Sequence, residues 1–241
     1  MEHREPDVGT AWRTAPQAVR RALSLAYEAL AAGGLAAGAV LTDAAGEVLA
    51  EGRNEAYEDG PGRGPLRGTP LAHAELNALG AARTGWDLGS AVLWSTQEPC
   101  AMCAAAARFT GVGRVRYLAP DPWALSDGSA GSSGAEPVRD ARWLVAANTM
   151  FLRSVAVAHG EGSDEPRILS HHRRAEPETA ALHDAVPAGL PGASSAEEWL
   201  AGLWAPLTAA ARSRTARLDR QGPQETAQCC DRKGVPGAAT R

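Results

Sequence analysis

Two short stretches decide how this chain is read: His73-Ala74-Glu75, and Thr96-Gln97-Glu98-Pro99-Cys100-Ala101-Met102-Cys103. Zinc takes thiolate sulfur at about 2.3 Å and imidazole nitrogen at about 2.0 Å in a near-tetrahedral shell. Cys100 and Cys103 lie three apart, so on a helix they share one face. Pro99 suits a helix start, where its missing N–H would be unpaired anyway. Cys100 then sits at the positive end of the helix dipole, which favours the thiolate. His73 and Glu75 fall in the opening turn of a second helix, expected over 72–83. Its Leu76 and Leu79, with small alanines between, suit packing on a sheet. Three protein ligands, His73, Cys100 and Cys103, leave the fourth position for water, whose pKa zinc lowers toward neutrality. Glu75 is close but not a ligand, so it can take the water's proton and return it to a leaving group. A purely structural zinc knot needs a fourth ligand. The other histidines lie at the far N-terminus or beyond residue 158, and Cys229 and Cys230 are in the tail. The open position therefore predicts a catalytic zinc.

Outward from these motifs, the elements alternate. Thr14 and Gln17 read as a capping box. It opens a helix with the stripe Val19, Ala22, Leu23, Ala26, Tyr27 and Leu30, ended by Gly33-Gly34. Residues 38–42 and 48–53 read as a hairpin around Asp43-Ala44-Ala45-Gly46, with Asn54 closing the second strand. Residues 55–71 are rich in Gly and Pro and lead straight to His73. They read either as a cover for the site or as a disordered insertion. Residues 91–96 read as a buried strand, 100–110 as a helix and 113–118 as another strand. That alternation implies an α/β layer with parallel pairing at the crossovers.

Residues 127–134 read as a Ser/Gly-rich loop and 138–159 as a helix on the sheet. Residues 161–193 are rich in Pro, Gly and charge and read as a linker or loose extension. Ser195 and Glu198 form a second capping box, opening a helix that Pro206 should kink or shorten. Its tryptophans are expected to dock on the domain or on a second subunit. The organisation expected is a zinc domain over 1–160, a linker and helical extension over 161–218, and a disordered tail over 219–241.

The 241 residues suffice for one well-buried domain plus an appendage. A net charge of −4 gives no general reason to expect nucleic-acid binding. Four cysteines, two of them in the zinc motif, are no disulfide framework and predict a reducing cytoplasm. Residues 1–15 show no apolar signal-peptide region, and no apolar run approaches the roughly 20 residues of a membrane span.

His-x-Glu followed by Pro-Cys-x-x-Cys is the signature of zinc nucleobase deaminases. With the extended octapeptide 96–103, the chain resembles the cytidine deaminase-like superfamily. It is most similar to the branch holding guanine, cytosine and tRNA adenosine deaminases. The resemblance spans residues 14–120 and implies a three-layer α/β/α sandwich around a five-stranded mixed sheet, here with a C-terminal helical extension. It implies Zn2+ on His73, Cys100 and Cys103, Glu75 as proton shuttle, and a homodimer. It also implies that Asn54 binds the base or ribose, although Asn suits a turn there as well. Backbone N–H groups near Ala74 and Cys100 are placed to hold an oxyanion. Before His73 the chain reads Thr69-Pro70-Leu71-Ala72, where the branch commonly shows Asp-Pro-Thr, and the preceding loop is longer than in tRNA deaminases.

Three functions are consistent with these residues. The first is a deaminase of a free nucleobase, nucleoside or related amino-heterocycle, favoured by the negative charge, a covering loop over 55–71 and the absence of a concentrated basic patch. The second is a tRNA adenosine deaminase, which needs cations at the mouth. Arg108, Arg114 and Arg116 are candidates, as are Arg212, Arg214, Arg217 and Arg220. The third is a non-catalytic zinc scaffold or partner-binding subunit, which would have no use for Glu75.

Overall fold

Every side chain of β1 (Gly38–Thr42) is buried, and its neighbours sort them into two layers. Ala39 and Leu41 meet one set of helices and Val40 another, as the two-residue alternation of a strand requires. A strand buried on both faces belongs inside a sheet. The computed structural model describes residues 6–58, 64–121, 134–160, 164–186 and 193–221. It pairs β1 antiparallel with β2 (Val48–Arg53) on one side and with β3 (Val92–Gln97) on the other. β3 runs parallel to β4 (Arg114–Ala119), and β4 parallel to the short β5 (Glu136–Pro137). The result is a five-stranded mixed sheet in the order β2-β1-β3-β4-β5.

Helices cover both faces. On one lie α3 (Ala74–Ala81) and α4 (Ala101–Phe109), the latter forming the crossover between the parallel strands β3 and β4. Ala74, Ala78, Leu79 and Ala107 meet Ala39, Leu41 and Leu93 there. The sheet approaches α3 closely because β2 carries glycine at position 52. A Cβ on Gly52 would lie 2.5 Å from the Ala74 carbonyl oxygen and 2.6 Å from the Ala78 nitrogen. On the other face lie α2 (Gln17–Ala31) and α5 (Ala141–His159), which share a core with Leu118 and Ala119 of β4. These are the three α/β/α layers that the resemblance implies.

Three further helices follow: α6 (Arg167–Ala175), α7 (Pro177–Ala185) and α8 (Ala196–Gln221). α8 buries Trp199, Leu200 and Leu207 in the core of α2 and α5. Trp204 packs on Trp143 and donates its indole N–H to the Pro6 carbonyl at 3.0 Å. α1 (Val8–Thr14) is thereby drawn against α8. Arg214 and Arg217 make bidentate contacts with Glu176 and Glu178, at 2.6–2.7 and 2.8–2.9 Å. The Arg214–Glu176 pair is largely buried, and removing one partner of such a pair costs about 3–5 kcal/mol.

Several expectations need correction. Thr14 does not cap α2. It closes α1, its hydroxyl donating to the Thr10 and Ala11 carbonyls, and the α2 N-cap is Pro16 without a side-chain bond. The expected helix from Cys100 to about Thr110 is present as α4, with Cys100 as its N-cap, Thr110 as its C-cap and Pro99 just outside it. The segment read as a linker holds α6 and α7, whose polar composition is matched by Arg173 bonding to Glu165 and Asp184. Pro206 does not shorten α8, which continues to Gln221. Proline sacrifices one backbone bond there, while Trp204 and Leu207 on either side anchor the helix in the core. Asp219 to Gln221, expected in the tail, are helical. Most of the Ser/Gly loop after β4 and residues 222–241 lie outside the described residues. The Gly33-Gly34 stop behaves as expected: Gly33 has φ +80°, and the two glycine N–H groups bond to Leu30 and Ala29. At the second capping box, Ser195 Oγ accepts from the Glu198 N–H, and Glu198 answers Ser194 instead of Ser195.

Candidate active site

The two helices of one layer present their N-termini to the same point. His73 is the N-cap of α3 and Cys100 the N-cap of α4, with Cys103 one turn further on. Each helix directs its positive dipole end at the site, which stabilises thiolates. The imidazole nitrogen and the two sulfurs all lie within 4.8 Å of one another. His73 Nδ1 stands 3.7 Å from Cys100 Sγ and 3.5 Å from Cys103 Sγ, and the bond lengths of tetrahedral zinc set that separation at about 3.6 Å. The donor set therefore fits zinc in both chemistry and dimension.

The electrostatics of the three side chains point the same way. The Cys100 thiol is pulled down to about 3, first by the Cys103 thiol donating to it and also by His73. Cys103, facing the Cys100 thiolate and buried, is pushed up. His73 is raised, chiefly by its contact with Cys100. The first proton is thus released readily, and the second is held until a cation replaces it.

Glu75 lies in the first turn of α3 and is not part of the ligand set. It is buried, and Ser95 of β3 donates its hydroxyl to Glu75 Oε1 at 2.8 Å. Burial raises the carboxyl above the usual range, and the hydrogen bonds from its own backbone N–H and from Ser95 partly offset this. The sequence reading did not single out Ser95. The available signal was a small polar residue within the apolar run Val-Leu-Trp, since a buried hydroxyl requires a partner.

A cavity of about 90 Å³ opens beside these groups. His73, Ala74, Glu75 and Cys100 line it, together with the polar side chains of Asn54, Gln97, Glu98 and Asp121 and the apolar ones of Leu35, Ala37 and Phe151. Asn54 is 5% exposed. Its Oδ1 accepts from the Ala56 N–H at 3.1 Å, so the turn reading and the cavity position hold together. Glu98, Asp121 and Phe151 were not assigned roles from sequence. Glu98 and Asp121 are both buried, and the Asp121 N–H approaches Glu98 Oε2 at 3.5 Å.

The described residues of 55–71 do not line the cavity, and residues 59–63 lie outside the described residues. Glu58 is paired with Arg53 and, at 3.1 Å, with Arg67. Among the arginines weighed as a phosphate patch, Arg116 stacks over Trp94 at 5.2 Å and faces Glu136. Arg214 and Arg217 are held by glutamates.

The zinc-binding region of the cytidine and deoxycytidylate deaminases matches residues 13–119, which contain the ligand set, Glu75 and Ser95. Over residues 13–119 the chain belongs to the cytidine deaminase-like superfamily. Among curated members and relatives, it is 37% identical over 106 residues to a tRNA-specific adenosine deaminase of Haemophilus influenzae. That match covers 43% of this chain and 57% of the relative. It is 37% identical over 108 residues to a tRNA(Ile)-lysidine synthase of Deinococcus radiodurans, covering 44% of this chain and 17% of the relative. The chain thus spans between about a sixth and just over half of the length of these relatives. Among solved structures, a tRNA:A34 deaminase is 34% identical, with 44% of this chain and 77% of that chain covered and a TM-score of 0.38. Guanine deaminase from Bacillus subtilis is 30% identical, with 48% and 70% covered and a TM-score of 0.37.

Proposed function

We propose that this deaminase-superfamily chain is a zinc-dependent hydrolytic deaminase that releases ammonia from a free nucleobase, nucleoside or related amino-heterocycle. The observation that carries this reading is Glu75, buried beside a three-ligand metal set to which it does not belong. Zinc held by His73, Cys100 and Cys103 supplies Lewis acidity that makes water acidic near neutral pH. Glu75 takes a proton from the attacking water. The water oxygen bonds to the ring carbon bearing the amine, the C–N bond breaks, and the proton goes from Glu75 to the departing nitrogen, which leaves as ammonia. Ser95 holds one carboxylate oxygen and so fixes the direction of the other. Asn54 contributes a side-chain amide to the base-binding wall, and the Ala74 and Cys100 backbone N–H groups stabilise charge developing on oxygen.

The polar wall supports an uncharged substrate. Glu98 and Asp121 line the cavity, and no arginine or lysine does so among the described residues. Buried carboxylates suit ring N–H and amine donors and oppose phosphate. The second reading is tRNA adenosine deamination, supported by the similarity to the Haemophilus influenzae protein. A scaffold role leaves the Glu75–Ser95 pair without a purpose. The reading includes a deaminase domain over 1–160 with the C-terminal helices docked on it, a homodimer and a cytoplasmic location.

The test is ammonia release by the zinc-loaded protein on guanine, cytosine, adenine, their nucleosides and a tRNA anticodon stem-loop, with Glu75→Ala as blank. Turnover of a base or nucleoside is expected. Turnover of the stem-loop alone would move the function to RNA, and silence on all would overturn the nucleobase and nucleoside reading. Light scattering that gives a monomer would remove the homodimer.

A further inference from the structure

We infer that Phe151 is the surface on which the substrate ring lies, and that helix α6, beyond the stretch matched by the family, holds it in place. The inference rests on the proposed deaminase reading for the identity of the ligand. Phe151 sits on α5 and lines the cavity, yet its side chain is only 5% exposed. A phenyl ring that is almost wholly packed but still borders a cavity presents one limited surface to it. Asn54, Glu98 and Asp121 line the same cavity. A flat heterocycle satisfies both kinds of lining at once, its edge donating to the polar groups and its face against the aromatic ring.

What holds Phe151 comes from the C-terminal helices. Phe151 and Leu152 form a distinct core cluster with Ile168 and Leu169 of α6, and Leu35, a second cavity-lining residue, packs against the same cluster. Ile168 and Leu169 are the apolar anchors of an otherwise strongly polar helix. The family match ends at residue 119, so this wall is supplied by the chain's own later segment. The position of α6 accordingly sets the width of the cavity on its apolar side.

The experiment measures binding and turnover on the same zinc-loaded proteins. Guanine and cytosine are titrated by calorimetry into wild type, Phe151→Leu, Leu169→Ala and, as a remote core control, Leu207→Ala. Kinetics follow on whichever base is turned over. Phe151→Leu is expected to weaken binding and raise KM about tenfold while kcat stays within about threefold, with one zinc per chain retained. Leu169→Ala is expected to weaken binding about threefold through loss of support. Leu207→Ala is expected to lower the melting temperature without changing KM. Should Phe151→Leu fail to fold, Phe151→Met reads the same contact. Affinity equal to wild type in the Phe151 variant, or a KM change matched by Leu207→Ala, overturns the inference and leaves the deaminase reading standing. A wild type that binds a base in a Phe151-dependent way but deaminates nothing sustains the inference and overturns the function. A wild type that binds neither base overturns the inference as well.

Discussion

Ser95 Oγ donates to Glu75 Oε1 at 2.8 Å across the gap between strand β3 and helix α3, with both side chains buried. A carboxylate held at one oxygen by a fixed donor has its other oxygen aimed by the fold. Glu75 thus owes its orientation to a residue of a different element.

Ser95→Ala is expected to lower kcat about 3- to 30-fold with KM and zinc content unchanged. Ser95→Thr keeps the hydroxyl and should restore most of the rate. Steady-state kinetics with metal analysis checks this. A kcat equal to wild type in the alanine variant would deny Ser95 any positioning role.

Glu75→Ala removes the proton carrier but none of the ligand atoms. Zinc should remain at one per chain while turnover falls by about 100- to 10,000-fold. Cys100→Ser, by contrast, should lose zinc and activity together, because the hydroxyl is a poor replacement for a thiolate already pulled down to about 3. Metal analysis after dialysis against a chelator separates the two variants. Tight zinc in Cys100→Ser would break the ligand assignment.

Gly52→Ala places a methyl group against the α3 backbone, 2.5 Å from the Ala74 carbonyl oxygen. Since α3 carries His73 as its N-cap, a loss of about 1–3 kcal/mol in stability should come with weaker zinc retention. Gly80→Ala, in the same helix but with open space around it, should instead be neutral or stabilise by up to about 1 kcal/mol. Urea denaturation and a chelator competition run on both variants check the contrast.

His172 and His183 are buried, and burial lowers both below the ordinary histidine value of 6.5. Above that value the folded and unfolded chains both carry them neutral, and the stability is fully present. As the pH falls through 6.5, the unfolded chain takes up protons that the folded chain refuses, so stability declines toward the folded values. Each group contributes at most about 1.4 kcal/mol per pH unit. The decline should be visible between pH 7.5 and 5.5, above the range where the paired carboxylates Glu178 and Asp184 are lost. Urea midpoints of the zinc-loaded protein at the two values measure it. A flat profile would remove the histidines from the balance.

What sequence reveals here follows the range of the interaction. His73, Glu75, Cys100 and Cys103 are legible because the metal demands particular atoms at short spacings, and helix geometry delivers them within one turn. The strands of the hairpin and β3 are legible from burial pattern. Ser95, Glu98, Asp121 and Phe151 meet only after the sheet has assembled, and nothing in their local surroundings records it. Composition misled at α6 and α7 for a related reason. Their charges are matched by residues distant in sequence, as Glu176 is by Arg214, so a polar stretch folds where its own neighbours suggest a linker. Thr14 misled because a hydroxyl suits the end of one helix as well as the start of the next.

The two helices that carry the ligands rest on the sheet through Ala74, Ala78 and Ala107, and Gly52 lies beneath. None of these residues has a rotamer to change. The Cα positions from which His73, Cys100 and Cys103 reach a metal are therefore fixed by how the two helices are seated. Only the torsions of the three ligand side chains are left to adjust, so the scaffold bounds the range of ion sizes while the donor atoms choose among metals.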